Sequence, residues 1–331
     1  MDEQGKTGGT MARTPKADTL TSRIVFVYGA LRSGTTLFRL MLEAHGGIAS
    51  PGEADFLFDD IAPDPGHPTG WRYDLARLAA GRIFRDKRLD IPVGQDGLDL
   101  LASLLAQFEA RTPGRVVTLN LHRHLDRLLA VLPGARLIHI LRDPRDVARS
   151  SIGMGWAGTL YHGVDHWIAT EAAWDRQIPG LAPGQAFELS YETLFSDVEA
   201  ALRRVTAFLG LPYDSAMLDY HRSTTYGPPD ASLVNQWRRL ARRADLAPME
   251  AKAAGLMARR GYDPSGPLAP PGALTRGRLA LKNRAGIWLF GIGRFGAALY
   301  IGEKLTRWLR LSAWHRRLRD RKAAIALRHL K

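Results

Sequence analysis

The chain has 331 residues, 45% of them hydrophobic, enough apolar material for a large core in one or two domains. It has no cysteine, which excludes disulfides, thiolate metal sites and thiol nucleophiles. The net charge of +13 resides in residues 274–331, with 15 Lys and Arg against 2 Asp and Glu, and the preceding 273 residues balance at 31 of each sign. In chain order, residues 1–22 are polar with no apolar run of signal-peptide length, and a disordered leader without an export signal is expected there. Ile24 to Tyr28 predicts a strand, and residues 35–45 predict a helix that ends near Gly46-Gly47. A short strand at Ile48-Ala49-Ser50 precedes an irregular Pro/Gly/Asp stretch running to about Gly70, long enough to be a binding loop. Helices at 97–111 and 122–131 alternate with strands at Val116 to Leu119 and Leu137 to Leu141, and a helix at about 165–177 leads to a strand at Ala186 to Leu189. That alternation predicts an α/β fold with a P-loop-like parallel sheet flanked by helices.

The turn between the first strand and first helix, Gly29-Ala30-Leu31-Arg32-Ser33-Gly34-Thr35-Thr36, has the G-x-x-x-x-G spacing of a phosphate-cradling loop. Free backbone N–H groups at such a loop and at the following helix start converge on one small volume that suits an anion. Thr35 stands where a nucleoside triphosphatase has its lysine, and the positive charge sits at Arg32 instead. A planar five-donor guanidinium suits a phosphosulfate, whose terminal group carries less charge than a γ-phosphate and needs no metal. A second strand-to-helix junction spans Ala135 to Ser150. There Asp143 is suited to the N-cap, Pro144 to the first helical position, and Arg142 falls at the strand's carboxyl end, the edge where open α/β sheets bind ligands.

Together these segments resemble the sulfotransferases that use 3′-phosphoadenosine 5′-phosphosulfate, in the branch containing bacterial carbohydrate and protein-tyrosine sulfotransferases. The family's 5′-phosphosulfate loop matches Ala30 to Leu37, and its 3′-phosphate motif, an arginine and a serine eight residues later, matches Arg142 and Ser150. A third match is Glu188 to Leu194, followed by a helix that closes in Phe208-Leu209-Gly210. The resemblance covers residues 23–262. It implies sulfuryl transfer to an acceptor hydroxyl or amine, with Ser33, Gly34, Thr35, Thr36, Arg142, Ser150 and Tyr191 on the donor. Arg32 would stabilise the sulfate oxygens, and Glu53, in the Gly-Glu pair after the first helix, would be the base. No metal is expected. One departure stands out: relatives carry a Lys-Thr-Pro or Lys-Asp-Pro segment, and the stretch Arg115 to His122 puts Val117 at the expected lysine and has no proline. Asn120 and His122 are the nearby candidates to substitute for it. Two alternatives stay open, a small-molecule kinase, which the missing loop lysine disfavours, and a non-catalytic nucleotide binder anchored by its tail.

Residues 263–273 are proline-rich and predict a linker. Beyond it, 274–331 predicts a basic, helical, amphipathic extension whose apolar run at 285–301, with Arg294 its lone charge, falls short of the roughly 20 residues that span a bilayer. Flanking arginines and the later Trp308 and Trp314 suit a helix lying on an anionic membrane surface. The alternative is docking on the body or on a second copy in a homodimer, and nucleic acid is a poorer fit to a basic segment alone. A cytoplasmic location, at the inner face of the membrane if the tail binds lipid, is the matching expectation, and the acceptor expected is a carbohydrate or lipid. His162 and His166 are four residues apart without a third ligand nearby, a weak metal pattern.

Overall fold

A computed structural model describes residues 23–328; the expected leader at 1–22 lies outside the described residues. The elements that position the site are β1 (Ile24–Tyr28), α1 (Thr35–Glu43), β2 (Ile48–Glu53), β3 (Ile61–Pro63), β4 (Trp71–Tyr73), α2 (Gly97–Ala110), β5 (Val116–Leu121), α3 (Leu125–Val131), β6 (Arg136–Leu141), α4 (Pro144–Gly153), α5 (Asp165–Gln177), β7 (Ala186–Ser190), α6 (Tyr191–Ser196), α7 (Val198–Leu209) and α8 (Arg243–Arg259). Strands β2, β5, β1, β6 and β7 form one parallel sheet in that order. After β1 the chain moves to one side of it for β2 and β5, and then to the other for β6 and β7. The order therefore reverses at β1, and the loop that leaves β1 sits at the switch point where such sheets open a crevice.

Alternation along β1 explains why the sheet is covered on both faces. Ile24, Phe26 and Tyr28 pack with α2, α3 and the 54–61 segment, whereas Val25 and Val27 pack with α1, α6 and α7. A third apolar cluster, built by Val147, Val164, Trp167, Leu246 and Met249, fastens α4, α5 and α8 together beyond the sheet edge. The stretch expected to be irregular up to Gly70 contains a helical turn at Phe56–Asp59 and the first strand of the β3–β4 hairpin. β2 runs on through Pro51-Gly52-Glu53, with Gly52 at φ 91° and a register shift between Ala49 and Gly52. Such a bulge lets the strand continue past proline.

The extension forms three helices, α9 (Ala273–Phe295), α10 (Ala297–Trp308) and α11 (Ser312–Arg328). The linker before α9 is stitched to the body at its start: Arg145 donates to the Asp263 carbonyl at 2.9 Å, and the Ser265 hydroxyl donates to Glu250 at 3.0 Å. Helix α9 then docks on the loop after α4. The backbones meet at Gly158 and Gly286, where a Cβ on Gly286 would lie 2.6 Å from the Gly158 Cα, and the Gly158 N–H donates to the Asn283 side chain at 2.7 Å. The apolar run at 285–301 is broken at Gly296, which has φ 79°, and α9 and α10 bend by 117° there. Among the described residues no single helix is long and apolar enough to cross a membrane.

Candidate active site

The loop between β1 and α1 turns on two residues in the left-handed region, Arg32 at φ 75° and Gly34 at φ 92°. For a residue with a Cβ that conformation is strained, and it survives where the surroundings over-determine it. Gly34 is required on steric grounds as well, since a Cβ there would come 2.4 Å from the Tyr191 ring. Gly34 caps α1 without a side-chain bond, so the first-turn N–H groups of the helix point into the space beside the loop.

Opposite the loop stands the start of α4. The Asp143 side chain accepts from the Arg145 N–H at 2.8 Å, as the N-cap pattern requires. Glu192 accepts from the Asp143 N–H and from the Tyr262 hydroxyl, both at 2.9 Å. That role explains the Tyr-Glu pair: Glu192 clamps the helix start while Tyr191 floors the cavity. Burial raises the pKa of the Glu192 carboxyl, against the bonds it accepts. The Arg142 guanidinium lies 4.0 Å above the Tyr191 ring and donates to the carbonyls of Arg32 at 3.2 Å and Leu233 at 2.9 Å. Arg32 Nε donates to the Ser150 hydroxyl at 2.8 Å, so the two motifs touch across the cavity.

The space they enclose is about 250 Å³. Arg32, Gly34, Thr35, Thr36, Arg142, Ser150 and Tyr191 all line it. Ser33 does not, because it is buried beneath the loop with its hydroxyl unpartnered. Sequence reasoning missed the remaining wall, where Tyr226, Leu233 and Gln236 contribute, with Arg149 from α4. Tyr226, Leu233 and Gln236 sit in a Pro/Gly-rich stretch without periodicity, which Asp146 on α4 holds in place. Its carboxylate accepts from the N–H groups of Gln236 at 3.2 Å and Trp237 at 2.8 Å, pinning the segment over the cavity. The Arg142 Nε is buried without a partner. Burial and, less strongly, the neighbouring Arg142 lower the Arg32 pKa, against the influence of Tyr226. An unpaired buried guanidinium nitrogen beside a second arginine is an environment an anionic ligand relieves, and the loop and the Arg142–Ser150 pair offer N–H and O–H donors, with the Asp146 carboxylate 3.8 Å from Arg142 as the acid in the lining. These residues fit a nucleotide that carries phosphate or phosphosulfate groups.

Glu53 is outside this cavity lining. It ends β2 on the carboxyl edge of the sheet, exposed, in register with Asn120, which is in register with Val27. Two strand spacings put it roughly 10 Å from β1 along the edge. Val117, the position where the resemblance leads us to expect lysine, lies away from the cavity. It pairs with Ile24 at the start of β1 and is buried, far from the carboxyl edge, whereas Asn120 reaches the Thr35 carbonyl at 3.4 Å. The strand expected to end at Leu119 runs on to Leu121. His122 follows directly. Its Nε2 is 3.3 Å from the Thr35 hydroxyl, its Nδ1 is 2.9 Å from Asp55, and its N–H donates to Asp55 at 2.8 Å. Although burial works the other way, the bonds and charge of His122 lower the pKa of the Asp55 carboxyl. His162 and His166 do not converge: His162 contacts the Thr159 hydroxyl at 2.8 Å, and His166 contacts the Leu31 carbonyl at 2.9 Å. Among the described residues no group of three His or carboxylate side chains could hold a metal.

A parallel sheet with a glycine-bounded loop at its switch point and an arginine-serine pair facing that loop defines a P-loop-like α/β fold. The chain belongs to the sulfotransferase family, whose family model matches residues 25–215. A Caenorhabditis briggsae protein, provisionally named a protein-tyrosine sulfotransferase, is 26% identical over 207 residues, covering 60% of this chain and 69% of its own. A Mycobacterium tuberculosis protein, omega-hydroxy-beta-dihydromenaquinone-9 sulfotransferase Stf3, is 35% identical over 97 residues, 25% of each chain. An uncharacterized Aquifex aeolicus protein is 29% identical over 234 residues, and the match spans 29% of that longer chain. Among solved structures, the sulfotransferase domain of the Synechococcus PCC 7002 olefin synthase superposes with a TM-score of 0.54 at 19% identity, over 72% of this chain and 94% of that one.

Proposed function

We propose that the chain transfers the sulfuryl group of 3′-phosphoadenosine 5′-phosphosulfate to an acceptor hydroxyl or amine, on a carbohydrate or lipid. The observation that carries this is the single cavity in which Arg32, the α1 N-terminus, Arg142 and Ser150 converge, with the Arg142 Nε unpartnered. Arg142 and Ser150 hold the 3′-phosphate, which distinguishes this donor from ATP. Thr35, Thr36 and the backbone from Ser33 onward hold the 5′ end, and Tyr191 supports both through Gly34 and Arg142.

In the reaction the acceptor oxygen or nitrogen forms its bond to sulfur as the bond from sulfur to the 5′-phosphate oxygen breaks. The bisphosphorylated nucleotide leaves with that electron pair, and the acceptor's proton passes to a base. Negative charge grows on the sulfuryl and bridging oxygens, where Arg32 and the helix N-terminus stabilise it. Glu53 is the base on the acceptor side of the sheet edge. His122 is a second candidate, favoured by its hydrogen-bond reach to Thr35 and by Asp55 fixing its Nδ1 side. The decisive experiment is calorimetric titration with 3′-phosphoadenosine 5′-phosphate without metal, and with magnesium-ATP, on the wild type and Arg142→Ala. Metal-free binding of the bisphosphate, weakened about 10- to 100-fold in the variant, is expected from the loss of charge-assisted bonds. Binding only of magnesium-ATP would overturn the assignment.

A further inference from the structure

The extension presents its apolar residues outward. On α9, Leu274, Leu281 and Trp288 recur every seven residues and so share one face, and they are 85%, 68% and 42% exposed. On α10, Ile301, Leu305 and Trp308 follow at helical spacing, with Trp308 78% exposed, and Trp314 on α11 is exposed too. A monomeric protein rarely leaves so many large apolar side chains in water on one appendage.

Charge decides what covers them. Exposed lysines and arginines run from Arg276 to Arg321, while Glu303, one of the extension's two acids, is withdrawn inside, 3.3 Å from Lys322. The exposed acid among the described extension residues is Asp320. A second copy of the same surface would set like charges face to face. An anionic lipid surface satisfies both features at once, with indole rings and leucines entering the headgroup boundary and arginines meeting phosphates.

The inner side of the extension faces the catalytic body. Ile287, Phe290, Phe295 and Tyr300 close an apolar cavity of about 340 Å³ against Met154 and Trp156, with Arg294 and Lys322 among its lining. Trp156 packs edge-on against His166 at 6.3 Å, and His166 contacts the carbonyl of Leu31 in the anion-binding loop. An apolar space with cationic side chains, one residue removed from that loop, fits the tail of an amphipathic molecule whose polar end lies toward the loop.

We infer that residues 273–328 seat the protein on an anionic bilayer and that the acceptor is a hydroxyl carried by a lipid in that bilayer. The second clause rests on the sulfuryl-transfer reading, whereas the first stands without it. The test is flotation of the full chain with vesicles of phosphatidylcholine alone and of phosphatidylcholine mixed with phosphatidylglycerol, for the wild type and for Leu305→Glu/Trp308→Glu. The two substitutions are exposed and leave the core untouched. The expected result is binding to the mixed vesicles, at least tenfold weaker to phosphatidylcholine and at least tenfold weaker for the variant, with binding of 3′-phosphoadenosine 5′-phosphate unchanged. With the phosphosulfate donor, radiolabelled sulfate is expected to reach a long-chain alcohol embedded in mixed vesicles at least tenfold faster than a short-chain alcohol in solution, and the variant is expected to lose that preference. Equal partition of the two proteins, equal binding to neutral and anionic vesicles, or no binding overturns the membrane seat. So does a concentration-dependent dimer that the same substitutions dissociate, or binding to duplex DNA in place of vesicles. Transfer to both alcohols at one rate overturns the lipid acceptor. If the bisphosphate fails to bind while flotation succeeds, the donor assignment falls and the membrane seat stands.

Discussion

Glu53 and His122 mark two different ways of supplying one proton acceptor. Glu53 is exposed on the sheet edge, where a bulky acceptor reaches it without disturbing the fold; His122 is buried, with both ring nitrogens engaged. If Glu53 is the base, Glu53→Gln lowers kcat by about 100-fold or more and leaves donor affinity unchanged, because it keeps the shape and removes the proton acceptor. His122→Asn then costs less in kcat but raises the donor KM, since it loosens Thr35 beneath the 5′ end. The reverse pattern in steady-state kinetics would assign the base to His122. The cavity-lining residues of the loop and of α4 were legible in the sequence because turn chemistry is local: a glycine-bounded loop and an Asp-Pro helix start announce themselves in a few letters. Asp55 and His122 were not legible as a pair, since only the adjacency of β2 and β5 brings residues 67 positions apart into contact.

Among the elements, β6 places a titratable group inside the core. His139 is fully buried between Glu171 at 3.2 Å and Glu188 at 2.9 Å, stacked on Trp174 at 4.2 Å, and Arg260 pairs with Glu171 at 2.6 Å. Burial opposes the imidazolium, but the two carboxylates outweigh it and raise the His139 pKa above the ordinary value. The stabilisation from this network is therefore complete below the unfolded-state pKa of about 6.5 and is lost as pH rises through the higher folded value. Denaturant midpoints of the wild type are expected to fall over that interval relative to His139→Gln, which has no imidazole to titrate. A constant difference between the two across the interval would show that the histidine is neutral throughout. Most strands and helices followed from periodicity to within a few residues, and two of the misses share a cause. β2 continues through Pro51 and β5 continues to Leu121 because backbone pairing with a neighbouring strand decides where a strand stops, and side-chain pattern does not encode the neighbour.

At the scale of the molecule, a charge-balanced body and a basic extension meet along α9, from Asn283 to Phe290, against the loop after α4. The charge division was visible in composition alone, but the docking of α9 was not, because glycine–glycine contact leaves no apolar signature to read. That contact has a geometric consequence. Where two backbones touch with no side chain between them, neither partner has rotamers with which to absorb a shift, so the helix is held in phase as well as in place. One extra residue inserted between Leu281 and Asn283 would turn Leu274 and Leu281 about 100° around the α9 axis relative to Trp288, while four would leave them about 40° off and seven about 20° off. Vesicle binding of such insertion variants should rise and fall with helical phase and not decline steadily with length. The linker and first helix would then act as an angular gauge, setting by residue count the tilt at which the donor cavity meets whatever surface the extension rests on.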